Sequence, residues 1–77
     1  MNETKKGVKT RMLLEKLLTN YPSQAALARA SNYSVSYISY LRRGVRLASD
    51  NFCQWAKNAH PEHRRLCASI QRSKYNR

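Results

Sequence analysis

Apolar residues recur at three- and four-residue spacing in the first third of the chain, as they do on one face of an amphipathic helix. The residues on that face are Leu14, Leu17, Leu18 and Tyr21. A helix is therefore predicted from about residue 8 to residue 20. It ends there because Tyr21 precedes Pro22, and a residue before proline is pushed out of helical backbone.

Residues 24–44, QAALARASNYSVSYISYLRRG, have the pattern of two short helices joined by a tight turn. The first helix, from residue 24 to about residue 30, is rich in alanine and follows Ser23, a favourable N-cap. Ala28 is small where a second helix must cross closely. The turn contains Asn32, a residue type that tolerates the positive φ required there.

The second helix of this motif is predicted over residues 35–43. Ser34 precedes it as an N-cap, and Gly44 suits the left-handed position after its end. Ile38 and Leu41 are the apolar residues that would hold this helix on the core. The whole pattern predicts a helix-turn-helix, whose second helix enters the DNA major groove.

Two more helices are predicted in the remaining sequence. One runs from about residue 50 to residue 59, capped by Ser49 or Asp50, and the other is opened by Pro61 and ends near residues 69–71. No alternation typical of a strand is sustained anywhere. The predicted fold is therefore all-α, a single domain of about five short helices.

Charge divides the chain into a flexible basic arm (1–7), a helical DNA-binding domain (8–71) and a basic tail (72–77). The 15 Lys and Arg outnumber the four Asp and Glu, for a formal net charge of +11. Such a bias is typical of proteins that bind a polyanion. No apolar run approaches the roughly 20 residues of a membrane span, and no signal peptide is visible. Two cysteines are too few to staple a secreted domain, which favours the reducing cytoplasm.

The motif at residues 24–44 resembles the phage repressor and Cro family of helix-turn-helix regulators. The residues at its first, fifth, ninth, fifteenth and eighteenth positions are Gln24, Ala28, Asn32, Ile38 and Leu41. The resemblance covers roughly residues 10–60, with Asn32 in place of the more usual glycine at the turn. It implies a lambda-repressor-like fold and a small Cro-type regulator of phage or plasmid origin, because no second dimerisation domain is visible.

In that family, exposed residues near the start of the second motif helix read base edges. The positions carried over are Ser34, Val35, Ser36, Ser39 and Tyr40, with Tyr37 beside them. No arginine or glutamine stands at these positions, so soft direct readout and more dependence on DNA shape are expected. Contacts with the DNA backbone are predicted for the start of the first motif helix, for the arginines at and after the end of the second motif helix, and for the basic arm. These are Gln24, Arg43, Arg46, Lys5 and Lys6.

The predicted function is sequence-specific transcription regulation by a repressor that binds a palindromic, double-stranded operator as a homodimer, at the nucleoid of a bacterial host. The candidates for a shared apolar dimer patch are Phe52, Trp55, Leu66 and Ile70. The alternative is that Phe52, Trp55 and Leu66 close the core of one chain. Two other functions remain open: non-specific RNA or DNA binding or packaging, and an antirepressor-like protein-interaction module.

Catalysis and metal binding find little support in the sequence. Cys53, His60, His63 and Cys67 are residue types that bind zinc, but their C-x6-H-x2-H-x3-C spacing matches none of the common zinc patterns. The four carboxylates are scattered, and no glycine-rich phosphate loop is present. We therefore expect no enzyme activity, no metal, no cofactor and no small-molecule ligand.

Overall fold

Helices make up most of the described part of the chain. A computed structural model describes the backbone of residues 5–75 and the side chains of residues 7–72. Its helices are α1 (Lys5–Leu18), α2 (Gln24–Ser31), α3 (Val35–Arg42), α4 (Asp50–Ala59) and α5 (Arg64–Tyr75), with a 3₁₀ helix at Pro61–His63. The described residues contain no strand, which confirms the all-α prediction. None of these helices is long and apolar enough to cross a membrane.

Both ends of the helical region extend further than predicted. Helix α1 begins at Lys5, so residues 5–7 are helical and do not belong to the predicted arm. Helix α5 continues to Tyr75, so residues 72–75 are helical and do not form the predicted tail. Neither segment contains proline, and Gly7 is buried, which suits a close helix contact. The remaining parts of the predicted arm and tail lie outside the described residues.

Helix α1 stops two residues earlier than predicted because its last turn tightens. The Thr19 hydroxyl donates to the Lys16 carbonyl at 2.6 Å, and the Thr19 backbone N–H donates to the same oxygen at 3.2 Å. The Asn20 N–H donates to the Leu17 carbonyl at 2.9 Å. Such three-residue bonds replace the α-helical pattern at a helix end.

Serine N-caps begin the next three helices as predicted. The hydroxyl oxygens of Ser23, Ser34 and Ser49 each accept a backbone N–H three residues further on, at 3.1 Å. The structure thereby selects Ser49 over Asp50 as the cap of α4. Each cap satisfies a backbone donor that a helix start leaves open, which stabilises the helix by about 1 kcal/mol.

Two left-handed residues end α2 and α3. Asn32 has φ 66° after α2, and Gly44 has φ 76° after α3. In both places the chain forms a Schellman motif, in which the two N–H groups after the helix bond back to carbonyls in its last turn. The Tyr33 N–H reaches the Ala28 carbonyl at 2.9 Å, and the Val45 N–H reaches the Tyr40 carbonyl at 3.2 Å. The predicted positive φ at Asn32 and left-handed Gly44 are confirmed.

The left-handed backbone at Asn32 predicts opposite effects for two substitutions. Glycine at position 32 should raise the free energy of unfolding by about 0.5 kcal/mol, and alanine should lower it by about 1 kcal/mol, since a Cβ disfavours this φ. Urea denaturation monitored by circular dichroism measures both. Asn58→Ala, at an exposed position of α4, is the matched control and should change stability by less than about 0.5 kcal/mol. Equal stabilities for the two position-32 variants would contradict the turn geometry.

The hydrophobic core is built around α1, which packs against both α3 and α5, while α2 packs on α3 and α4 packs on α5. The larger fully buried side chains are Leu13, Leu14, Leu17, Leu27, Ile38, Leu41, Phe52 and Ile70. Leu18 and Tyr21, predicted on the apolar face of α1 and at its end, pack against this core but are only partly buried. The Tyr21 hydroxyl pairs with His60 Nε2 at 2.8 Å, which ties the link after α1 to the end of α4.

Two of the four predicted dimer residues belong to the interior of a single chain. Phe52 is fully buried and Ile70 is 1% exposed, so neither reaches the surface. Trp55 and Leu66 are partly buried and pack against the same core. The structure therefore corrects the expectation of a four-residue apolar patch: Phe52 and Ile70 close the core, and only Trp55 and Leu66 offer surface to a partner.

Candidate nucleic-acid interface

Helix α3 has one buried face and one open face. Ile38 and Leu41 are fully buried and hold the helix on the core. The open face carries the residues predicted to read bases: Ser34, Val35, Ser36 and Tyr40 are exposed, and Ser39 is partly buried. Val35 is 49% and Tyr40 is 40% exposed. The packing of α3 thus leaves this face accessible to a large ligand.

Tyr37 does not lie on that open face. Its ring stacks on Tyr33, with centroids 4.7 Å apart, and meets the edge of Phe52 at 6.0 Å. Its hydroxyl oxygen accepts the Ser49 backbone N–H at 3.0 Å. This corrects the expectation that Tyr37 is exposed beside the base-reading residues, because the side chain joins α3 to the start of α4.

Removing the Tyr37 hydroxyl is therefore expected to affect folding and not ligand binding. Tyr37→Phe leaves the Ser49 N–H without its acceptor, so the free energy of unfolding should fall by about 1 kcal/mol. Tyr40→Phe removes an exposed hydroxyl from the same helix and should change stability by less than about 0.5 kcal/mol. Thermal denaturation of the two variants measures this difference. A Tyr37→Phe chain that keeps wild-type stability but binds DNA more weakly than wild type would return Tyr37 to the binding surface.

An open depression joins the start of α2 to the open face of α3. Its lining residues are Gln24, Val35, Ser36, Ser39, Tyr40 and Arg43. These residues come from two helices and include both predicted base readers and predicted backbone contacts. The depression offers hydroxyl groups, an isopropyl group, an amide and a guanidinium over one continuous surface. Ser34 immediately precedes α3, and its hydroxyl oxygen accepts the Tyr37 N–H as the N-cap.

Two arginines surround Tyr40 at the end of α3. The guanidinium carbon of Arg43 lies 5.4 Å from the centre of the Tyr40 ring, and that of Arg46 lies 5.5 Å from it. Arg43 follows Tyr40 by about one helical turn, so it reaches the ring along the helix surface. Arg46 reaches it because the left-handed Gly44 turns the chain back over the last turn of α3. Both distances are within the range of a cation–π contact.

Arg42 is a surface residue that sequence reasoning missed. It lines a second depression with Leu18, Tyr21, Pro22, Ser23 and Gln24, at the N-terminus of α2. As the basic residue in the last turn of α3, it also suits the helix dipole. Successive helix residues are rotated by about 100°, so Arg42 and Arg43 diverge. The structure places them in two different depressions, both of which include Gln24.

The segment that carries these depressions is uniformly basic. Residues 16–49 contain five Lys and Arg and no Asp or Glu. All five basic side chains are exposed: Lys16, Arg29, Arg42, Arg43 and Arg46. The surface is therefore positive without a carboxylate from its own segment. Lys5 and Lys6 open α1, but their side chains lie outside the described residues, so their predicted backbone contacts stay predictions.

The cysteines and histidines form no metal centre in the described part of the chain, where no group of three or more His, Cys, Asp or Glu could hold an ion. Cys53 and Cys67 are both fully buried. Burial raises the pKa of the Cys67 thiol, and the charge of Lys57 and a backbone hydrogen bond oppose that effect. The Cys67 thiol therefore stays protonated at neutral pH and is not an activated nucleophile.

No family model, curated protein or solved structure matches the chain. The candidate surface combines the open face of α3, the N-terminus of α2 and two exposed arginines, Arg42 and Arg43, which line depressions that share Gln24.

Proposed function

We propose that this protein is a sequence-specific DNA-binding transcriptional regulator, and that it acts as a repressor. In this proposal α2 and α3 form a helix-turn-helix of the lambda-repressor type, with α3 in the major groove. The observation that carries it is the depression that joins Gln24, the open face of α3 and Arg43. A base-reading surface and a phosphate-binding surface must adjoin in this way, because bases and phosphates lie a few ångströms apart in a groove.

The size and chemistry of α3 support major-groove binding. A helix with its side chains is about 10–12 Å in diameter, which fits the roughly 12 Å width of the groove. The exposed Val35 isopropyl group suits the methyl group of thymine, and the hydroxyls of Ser36 and Ser39 can donate to or accept from any base edge. These short side chains supply few bidentate contacts, so DNA shape contributes to the choice of site.

The N-terminus of α2 supports a phosphate contact next to the bases. Its Ser23 cap uses one backbone donor, which leaves other N–H groups of the first turn and the Gln24 amide for a phosphate oxygen. Arg42 and Arg43 line the two depressions that share Gln24. A phosphodiester strand bound at Gln24 would be near the guanidinium of each depression.

Two copies of the chain are proposed to bind one palindromic operator. Two α3 helices would then enter successive major grooves about 34 Å apart, which the symmetry of the operator requires. Trp55 and Leu66 are the apolar candidates with surface left for the partner copy. Occupation of a promoter by such a dimer would exclude polymerase.

A random-sequence selection tests the proposal directly. The purified chain is incubated with a random duplex library at about 150 mM salt, and the bound pool is sequenced. We expect a palindromic motif whose half-sites are about one helical turn apart. Ser36→Ala with Ser39→Ala should flatten that motif while it leaves affinity for unrelated duplex nearly unchanged, because hydroxyls at the base edges carry specificity and arginines carry most of the affinity.

A second candidate function is non-specific nucleic-acid binding. It is favoured by the short side chains at the base-reading positions and by further exposed basic residues on α5, namely Arg64, Arg65 and Arg72. Such a protein would bind any duplex with a strong dependence on salt. In the same selection it would give tight binding and no enriched motif, an outcome that would overturn the specific regulator.

A further inference from the structure

We infer that Tyr40 is a positioning residue whose ring holds Arg43 and Arg46 together as a paired clamp for the phosphate backbone of DNA. This inference rests on the proposed DNA-binding function and deepens it. Tyr40 was predicted to read bases because of its position on α3; this inference assigns it instead to the phosphate-binding residues. The ring and not the hydroxyl is then the functional part of the side chain.

The geometry supports this assignment because a single ring contacts both guanidinium groups. The two guanidinium carbons lie 5.4 Å and 5.5 Å from the ring centre, although Arg43 caps the C-terminus of α3 and Arg46 lies beyond the left-handed Gly44. The Val45 N–H bond to the Tyr40 carbonyl fixes that turn to the backbone of the same residue. Tyr40 thus controls the position of one arginine before the turn and one after it.

Electrostatics explain what the pair is suited to bind. Two guanidinium groups near one ring repel each other, and the negative face of the ring offsets part of that repulsion. The surrounding segment, residues 16–49, supplies no carboxylate to neutralise either group. A phosphate oxygen supplies the missing negative charge, and guanidinium groups match phosphate geometry with paired N–H donors.

Preorganisation is the energetic benefit of the ring. A free arginine side chain samples many rotamers, and ordering it on binding lowers affinity. Arg43 and Arg46 are already held near one position by Tyr40, so less freedom is lost when phosphate binds. The ring therefore increases the contribution of each arginine without touching the DNA itself.

A double-mutant cycle on a duplex tests the clamp. Dissociation constants are measured at about 150 mM salt for the wild-type chain, Tyr40→Leu, Arg43→Ala and the double variant. We expect Arg43→Ala to weaken binding about two- to fivefold less when Tyr40 is already leucine. Arg42→Ala removes the same charge from a neighbouring residue that does not contact the Tyr40 ring, so its effect should not depend on position 40. Tyr40→Phe keeps the ring and should retain the wild-type affinity.

The outcomes separate this inference from the function on which it rests. An Arg43→Ala penalty of the same size in both backgrounds would overturn the clamp and leave DNA binding in place. A wild-type chain without affinity for any duplex would overturn both. A second measurement uses the unbound wild-type protein, so its result does not depend on how well the Tyr40→Leu variant folds. Nuclear magnetic resonance should show the δ-methylene protons of Arg43 and Arg46 shifted upfield by the Tyr40 ring. Random-coil shifts for both arginines would also overturn the clamp.

Discussion

A chain with alanine at both Arg43 and Arg46 is expected to bind duplex DNA about 30-fold more weakly than wild type at about 0.15 M salt. Each arginine that neutralises a phosphate contributes about 0.9 to the slope of log affinity against log salt, so the slope should fall by about 1.8. Both side chains are exposed on the α3 side of the molecule and meet at the Tyr40 ring. Fluorescence anisotropy with a labelled duplex at several salt concentrations measures affinity and slope together.

Arg64→Ala with Arg65→Ala is the matched control for that prediction. It removes the same charge from exposed positions at the start of α5, a helix that packs on α1 and α4. Long-range attraction falls equally in both double variants, so any excess loss in the Arg43 and Arg46 variant reports direct phosphate contacts. Equal losses in the two variants would show that net charge alone drives binding, and would count against α3 as the interface.

Alanine at Phe52 is expected to lower the free energy of unfolding by about 3–5 kcal/mol. The ring is fully buried and lies within 6.0 Å, centroid to centroid, of the aromatic rings of Tyr33, Tyr37 and Trp55. Truncation would leave a cavity between α3 and α4 that these large rings cannot fill without moving. A domain of this size has a total stability of about 4–12 kcal/mol, so the variant should lose at least about a quarter of it and unfold at a clearly lower urea concentration.

Urea denaturation and sedimentation together check the Phe52 prediction. Val45→Ala is the control, because this side chain is 65% exposed and its loss should change stability by less than about 0.5 kcal/mol. A Phe52→Ala chain that keeps its stability but changes from dimer to monomer would contradict the buried position. It would instead restore Phe52 to the dimer patch that the sequence suggested.

Local signals in the sequence predicted the helix starts and turns well. Ser23 and Ser34 were recognisable as N-caps because a cap bonds to a residue only three positions away. Asn32 and Gly44 were recognisable because few residue types accept positive φ. The start of α1 at Lys5 was not predicted, because residues 5–7 are two lysines and a glycine and carry no apolar periodicity.

Long-range packing decided the features that the sequence could not predict. Tyr37 and Tyr40 are both tyrosines on one short helix, and local pattern cannot distinguish them. Tyr37 is covered because Ser49 and Phe52, which lie at least twelve residues further along the chain, pack over it. The buried position of Ile70 likewise depends on where α5 docks against α1 and α4. Arg42 was missed because its neighbours in space come from the chain before α2.

The division of α3 into two faces separates the residues that fold the chain from those that face outward. Ile38, Leu41 and Tyr37 hold the helix in place, whereas Val35 and Ser36 are exposed and Ser39 makes no side-chain bond among the described hydrogen bonds. Substitutions at those three outward positions should therefore be nearly neutral for folding. Under the proposed function, single substitutions at these positions could change the preferred operator without unfolding the chain. A library randomised at the same three positions would therefore be a practical route to retargeting the protein.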